Sequence, residues 1–277
     1  MVARRTGASL RRYDVGVRIL LTNDDGIDAP GLAAMRGALN GLGEVTTFAP
    51  AAHQSATSHA VTFHSPLTVE ERRFGDGQAF TGLAIGGRPA DCVKLGLSTL
   101  VDRTPDLVVS GLNAGANVGI NVIYSGTVGA AREATILGVP AIAVSLHVGD
   151  WHAIRWADAA AHARRAVDLA LDHGLPDAAL ININVPILDG GFEPRGLRVV
   201  RACTEPLVDQ YEPSGDNAYR ICSTMTFRRR DPGTDVAALF DGYITLTPLQ
   251  HRLTDAAAMT ALAGLDADAP SGSGVGV

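Results

Sequence analysis

The sequence predicts an α/β fold: a mostly parallel sheet flanked by helices, with an antiparallel hairpin appendage at the C-terminal end. Three observations carry this expectation. Short, nearly continuous apolar runs recur, as expected for strands buried on both faces. Segments of helical character alternate with them, which argues for helices on both faces of a parallel sheet. After about residue 186 the texture changes to turn-rich stretches separated by short apolar ones, the pattern of hairpins.

Taken in order, the predicted strands are VGVRILLT (15–22), EVTTFAP (Glu44–Pro50), DLVVSG (106–111), AIAVSL (Ala141–Leu146) and ALININV (179–185). The predicted helices are 30–42, 90–101, 127–137 and Trp156–His173, the last with Ala157, Ala160, Ala161, Val167 and Leu171 among its apolar positions. Beyond them, ILDGGFEPRG, TEPLVDQYEPSGDN and RRRDPGTD are turn-rich, and LRVVRAC, AYRICSTM and GYITLTPL lie between. The organisation read from this is an N-terminal extension (1–17), one domain (18–265) and a Gly/Ser/Pro-rich tail (266–277) expected to be disordered. Within the domain the core is 18–186, and 187–253 is the hairpin part, a place for contacts between copies. No internal repeat is present.

Composition bounds the function. The 277 residues suit one large domain or a domain with an appendage, and a hydrophobic content of 46% is ample for a core. A net charge of −6 without a basic block argues against long nucleic acid as a ligand. Small anions stay open, because a helix N-terminus binds them without net positive charge. Three cysteines, Cys92, Cys203 and Cys222, form no CxxC and no disulfide framework, which reads as a reducing, cytoplasmic setting. The basic N-terminus lacks the apolar stretch of a signal peptide. It reads as a frayed extension, with an Arg- and Ser-containing targeting peptide as the alternative. No run approaches the ~20 apolar residues of a membrane helix.

Three polar clusters follow predicted strands: TNDDG, APAAHQSATSH and SGLNAGAN. Ligands of doubly wound folds collect outside the carboxyl ends of the strands, so the three clusters are expected to converge. Asp24 and Asp25 are adjacent carboxylates at a strand end. To serve one site they require the chain to leave strand geometry around Asn23, and Gly26 supports that turn. A divalent cation removes their like-charge penalty, and Mg²⁺ and Mn²⁺ prefer such oxygen ligands. The bland reading of an isolated DDG is a solvated turn in which Asp25 caps a helix. Around Asn113 and Asn117, interleaved glycines let backbone N–H groups approach a ligand. YSGTVGAAREATILG then reads as a helix start with Ser125 or Thr127 at the cap, a geometry that binds phosphate. Its bland counterpart is a structural Gly-rich loop with an ordinary cap, and GxGxxG is absent. Ser55, Ser58 and His59 lie in HQSATSHA, where a capped loop histidine is the plainer reading of His59.

With these residues on view, ILLTNDDGIDAPGL, SGLNAGANVG, YSGTVGAA, GVPAIAVSL and GYITLTPL, in that order, resemble the SurE family of stationary-phase survival proteins. The resemblance runs from Arg18 to about Leu253. It implies a Rossmann-like core, a metal-dependent phosphatase acting on nucleoside 5′- and 3′-monophosphates, one Mg²⁺ or Mn²⁺ per subunit, and a homodimer or homotetramer built through the C-terminal hairpins. Asp24, Asp25, Ser55 and Asn113 correspond to the family's metal ligands, with Asp24 and Asp25 as its catalytic carboxylates. Asn117, Ser125, Gly126 and Thr127 correspond to its phosphate contacts, and Asp235 to a C-terminal Asp of the family. Ala52 and Ala56 depart from the usual Arg and Gly around QS, and Ile120 and Asn121 from two usual acidic residues.

A haloacid-dehalogenase-type phosphatase also places acidic residues after its first strand, but needs two Asp separated by one residue, whereas these are adjacent. A non-catalytic nucleotide-binding module is the alternative of a different class. Whether Asp24 acts as nucleophile or general base stays open at this point.

Overall fold

The computed structural model describes residues 16–206, 210–222, 231–263 and 265. The extension up to residue 15, the tail 266–277 and parts of the predicted hairpin region (207–209 and 223–230) lie outside the described residues. Val17, counted with the extension in the sequence, is buried and packs into the core.

The chain runs β1 (Arg18–Thr22), α1 (Pro30–Ala38), β2 (Glu44–Pro50), β3 (Val69–Phe74), β4 (Phe80–Ile85), α2 (Pro89–Leu95), β5 (Leu107–Ala114), α3 (Gly126–Ile136), β6 (Ala141–Leu146) and α4 (Trp156–His173). It continues through β7 (Leu180–Val185), β8 (Leu197–Val199), β9 (Tyr211–Pro213), β10 (Tyr219–Ile221), α5 (Asp235–Phe240), β11 (Ile244–Leu249) and α6 (Ala256–Leu262). The main sheet has the order β3-β4-β2-β1-β5-β6-β7-β11-β8, and β9 and β10 form a separate two-stranded sheet. From β4 to β7 every pairing is parallel. β3 and β11 pair antiparallel to β4 and β7, and β8 runs parallel to β11. The expected parallel sheet and separate C-terminal hairpin are both present. GYITLTPL and LRV, read as hairpin strands, instead extend the main sheet.

The continuous apolar runs are explained by two cores. Ile19 and Leu21, Leu107 and Val109, and Ile142 and Val144 point to one face, where Leu32 and Met35 of α1 and Ala163, Val167 and Leu171 of α4 cover them. The residues between them, Leu20, Val108, Ala141 and Ala143, point to the other face, covered by Cys92 and Val93 of α2 and Val128, Ala131 and Ala134 of α3. Each fully buried aliphatic side chain of this kind contributes about 1.5–3 kcal/mol. On α4 the buried stripe is Ala159, Ala160, Ala163, Ala166, Val167, Ala170 and Leu171, whereas Ala157 and Ala161 are exposed.

Element ends carry local reasons. α3 starts on Ser125, whose side chain accepts a hydrogen bond from Val128 N at 3.0 Å. α2 has Pro89 in its first turn and Asp91 bonded back to Arg88 N at 2.8 Å. The predicted helix 90–101 is shorter as an α-helix, because its last turn, Gly96–Leu100, opens into a wider π-type turn. β5 runs three residues past its predicted end. Gly111 has φ +145°, and a Cβ there would lie 2.3 Å from Val144 O, so only glycine lets the two strands approach at the irregularity where the β5–β6 register shifts between Ser110 and Asn113.

From β1 the chain turns to β2 on one side and later returns to β5 on the other. The strand order therefore reverses at β1, which makes the crevice beyond the C-terminal ends of β1 and β5 the topological switch point. Asp24, Asp25 and Asn113 stand there.

Candidate functional site

The turn after β1 is built by Asn23. Its side chain donates to Gly26 O at 2.9 Å and accepts from Gly26 N at 3.3 Å, while Gly26 takes φ +100°. This closed turn takes the chain out of strand geometry, so the two following carboxylates need not point to opposite faces. Asp24 is 4% exposed. Its Oδ1 accepts from Thr127 Oγ1 at 2.6 Å, so the carboxylate lies against the N-terminal turn of α3. Burial, reinforced by the neighbouring Asp25 charge, pushes the Asp24 carboxyl up to about 6, against the pull of the Thr127 hydrogen bond. Burial also raises Asp25, opposed by the Ala114 amide and His53.

Asp25 is sparsely satisfied. Its Oδ2 accepts a 3.3 Å hydrogen bond from Ala114 N, and its Oδ1 lies 3.9 Å from His53 Nε2. A carboxylate accommodates about four acceptor bonds. Adjacent Asp24 and Asp25 offer carboxylate oxygens at this crevice, the donor chemistry that hard divalent cations take. The under-satisfied Asp25 and the raised pair together fit such an ion. As the side chains stand, no three His, Cys, Asp or Glu among the described residues are already drawn together as a preformed metal site.

The other sequence-predicted residues fall as follows. Asn113 is on β5, 8% exposed, with Nδ2 bonded to Gly115 O at 2.6 Å. Ser55 is exposed on the loop after β2, with its hydroxyl hydrogen-bonded to His53 Nε2. Asn117 is locked by a polar network beneath the crevice. Its Nδ2 donates to Ser145 Oγ at 2.8 Å, and its backbone meets Asn182 and Asn184. One of its two amide N–H groups therefore has a partner within the protein. Asp235 is fully buried, and both carboxylate oxygens take backbone amides: Oδ2 from Gly119, Oδ1 from Cys203 and Val236, each at 2.8 Å. It ties the C-terminal segment to the 114–119 loop, a structural role that does not place it on Asp24 or Asp25. Ile120 and Asn121 form part of the 3₁₀ turn Gly119–Ile123.

Two further groups escaped the sequence reading. His53 is one. Glu133 is the other, buried in α3 with Oε2 at 2.7 Å from His59 Nε2 and Oε1 at 2.7 Å from Lys94 Nζ. This cluster fastens the loop carrying Ser55 to α3. Ser58 adds to it, donating from Oγ to Ile123 O and from N to Tyr124 O. The legible signal for Glu133 is an acid on a buried helix of mostly small residues, GTVGAAREATI. Burial raises its carboxyl, but the His59 and Lys94 bonds outweigh this and hold it below its ordinary 4.5. A carboxyl so depressed contributes stability above its ordinary value, and that contribution disappears as pH falls through the folded-state value. Glu133→Gln is therefore expected to lower Tm at pH 7, with the gap from wild type closing as melts are taken towards pH 3. A gap that is the same at both ends contradicts the ion cluster.

The fold and this crevice define a class: a doubly wound α/β protein whose acidic, oxygen-rich switch point abuts a helix N-terminus. Residues 19–208 match the family model described as Survival protein SurE, and the chain belongs to that family. It is 43% identical over 262 residues to a 5′-nucleotidase SurE of Nitratidesulfovibrio vulgaris strain DP4, covering 90% of this chain and 100% of that one. It is 42% identical over 258 residues to a 5′-nucleotidase SurE of Geobacter sulfurreducens, covering 91% and 95%. Among solved structures, the SurE protein from Aquifex aeolicus aligns with a TM-score of 0.76 at 34% identity, over 90% of this chain and 99% of that one.

Proposed function

We propose that this chain is a 5′-nucleotidase, hydrolysing nucleoside 5′-monophosphates to nucleoside and phosphate, with 3′-monophosphates as a second class to assay. Relatives named 5′-nucleotidase SurE match it over nine-tenths of its length. The geometric observation that carries the reading is the 2.6 Å contact between Asp24 and Thr127, which sets an acidic pocket directly against a helix N-terminus. That pairing suits a cation and a phosphoryl group side by side. A binding module without turnover has no comparable support.

In this reading Asp24, Asp25, Ser55 and Asn113 hold one Mg²⁺ or Mn²⁺ per subunit. Bound there, the ion neutralises phosphate charge and polarises the ester. The N-terminal N–H groups of α3, the Ser125-Gly126-Thr127 turn and the second amide N–H of Asn117 orient the phosphoryl oxygens as charge moves. Asp24 and Asp25 are the carboxylates at the reacting centre. Phosphate release from AMP is expected with Mn²⁺ and not after chelation. A folded, metal-supplemented protein that releases none from either positional class overturns the assignment.

The reading also makes the chain a cytoplasmic homodimer or homotetramer. No helix among the described residues is long and apolar enough to cross a membrane. Tyr211, Tyr219 and Ile221 on the β9–β10 hairpin and, separately, Val199 on β8 stand at least half exposed, apolar groups available to a second copy. Light scattering at micromolar concentration is expected to give a multiple of 28.8 kDa, and a clean monomer contradicts this assembly.

A further inference from the structure

The loop after β2 passes over the aspartate pair in a fixed way. Gln54 N donates to Asp24 O at 2.8 Å, and Ile27 N donates to Pro50 O at 2.8 Å, so the loop and the Asp24-Asp25 turn are stitched together by their backbones. Contact between them is close. A Cβ on Gly26 would lie 3.3 Å from the Ala52 carbonyl carbon and 3.4 Å from His53 N. The imidazole of His53 is thereby brought to Asp25, with Nε2 at 3.9 Å from Oδ1, and that same nitrogen meets the Ser55 hydroxyl. His53 Nε2 thus stands between two oxygen donors, the Asp25 carboxylate and the Ser55 hydroxyl.

We propose that His53 Nε2 is a further ligand of the divalent cation, and that it biases this site towards transition-metal ions over Mg²⁺. The proposal rests on the metal reading of Asp24 and Asp25 given above. The separation suits it. Two donors each about 2.1 Å from one ion lie about 3 Å apart at a right angle and about 4.2 Å apart when opposite, so from the present 3.9 Å a shift of the imidazole by under about 1 Å lets both bind a single cation. The competing partner of Nε2 is itself a proposed ligand, so the His53–Ser55 hydrogen bond gives way to two bonds to the same ion. Imidazole discriminates because Mg²⁺ favours oxygen and water, whereas affinity for nitrogen rises from Mn²⁺ towards Ni²⁺. With 62% of its side chain exposed, His53 is free to swing the short distance required.

The test is metal binding to the full chain, independent of turnover. Calorimetric titrations with Mg²⁺, Mn²⁺ and Ni²⁺ are run on wild type, His53→Ala and Asp25→Asn, and Mn²⁺-loaded samples are measured by pulsed electron paramagnetic resonance. His53→Ala is expected to weaken Ni²⁺ by about tenfold or more while changing Mg²⁺ by less than about threefold. The ¹⁴N modulation of a bound imidazole is expected in wild type and absent from His53→Ala. If the metals bind, Asp25→Asn removes binding, and His53→Ala retains both the wild-type Ni²⁺ to Mg²⁺ ratio and the wild-type resonance signal, His53 is no ligand and the proposal falls alone. Equal weakening of all three ions without nitrogen modulation in wild type overturns it too, reducing His53 to a partner of Ser55. If wild type binds none of the ions, the metal reading fails with it.

Discussion

Asp24→Asn and Asp25→Asn are each expected to remove phosphate release by on the order of 10³-fold or more, equivalent to about 4 kcal/mol of transition-state stabilisation, with the fold intact. The fold survives because neither carboxylate holds up the core. Asn23, not the aspartates, closes the turn through its two bonds to Gly26. An Asn at 24 still offers an oxygen to Thr127 Oγ1. What is lost is charge, and with it the cation. In the metal-free protein the substitution even relieves a cost, since Asp24 is buried beside a second carboxylate and its charged form is disfavoured there. The measurement is calorimetry with and without Mn²⁺. At a hundredfold excess over Kd a ligand adds about 2.7 kcal/mol to stability, a rise of several degrees in Tm for a chain of this size. Wild type is expected to show that rise, and both variants to lose it while melting no lower than metal-free wild type. Equal metal-induced shifts in all three proteins remove the cation from this site.

Much of the architecture was legible, for an identifiable reason. β1, β6 and β7 are buried on both faces, so their sequences are mostly aliphatic with only isolated polar residues such as Ser145, Asn182 and Asn184, and β2 becomes so in its second half. β3 and β4 were not read. β3 is VEERRF at the sheet edge, mostly exposed, and its charges are what keeps an edge from pairing with other chains. β4 carries Gly82, where a Cβ would lie 2.8 Å from Thr47 O; in sequence that glycine reads as a break, in the structure it permits close strand packing. β11 was legible as a strand but not in its pairing with β7, because long-range pairing leaves no local mark. The same limit governs the site. The turn at Asn23 and Gly26 and the Ser125 cap follow from local chemistry and stand as expected. The grouping of Ser55 and Asn113 with the aspartates came from family resemblance, since no spacing rule links residues so far apart in the chain. His53 and Glu133 were missed because their roles are set by a loop folding back over β1 and across α3.

Gly126→Val is expected to be the most damaging change in the phosphate cradle, lowering kcat/KM about a hundredfold or more, some 2.7 kcal/mol. Gly126 is the first residue of α3, and its φ is not in the left-handed region, so the requirement is space rather than backbone freedom. A Cβ at this position would lie 2.9 Å from both Cβ and Oδ2 of Asp24 and 3.2 Å from Pro89 Cγ. The carboxylate end can swing away, but Asp24 Cβ is fixed to a backbone held by Gln54 and the Asn23 turn. Either Asp24 leaves the helix N-terminus or α3 is pushed off the crevice, and both separate the acidic pocket from the N–H groups that the proposal assigns to phosphate. The two neighbours give the scale. Ser125→Ala removes one cap bond, from Val128 N, worth about 1 kcal/mol of helix stability. Thr127→Ala removes one bond to a carboxylate, worth roughly 1.5–3 kcal/mol, and leaves Asp24 in place. Steady-state kinetics on AMP, with circular dichroism to establish folding, should therefore rank the losses Gly126→Val, then Thr127→Ala, then Ser125→Ala. Gly126→Ala separates crowding from any other defect, because its single added carbon meets the same two Asp24 atoms and should reproduce a large part of the loss. A folded Gly126→Val enzyme with wild-type kcat/KM means that catalysis does not depend on Asp24 resting against α3, and the assignment of the phosphate to this helix end is then wrong.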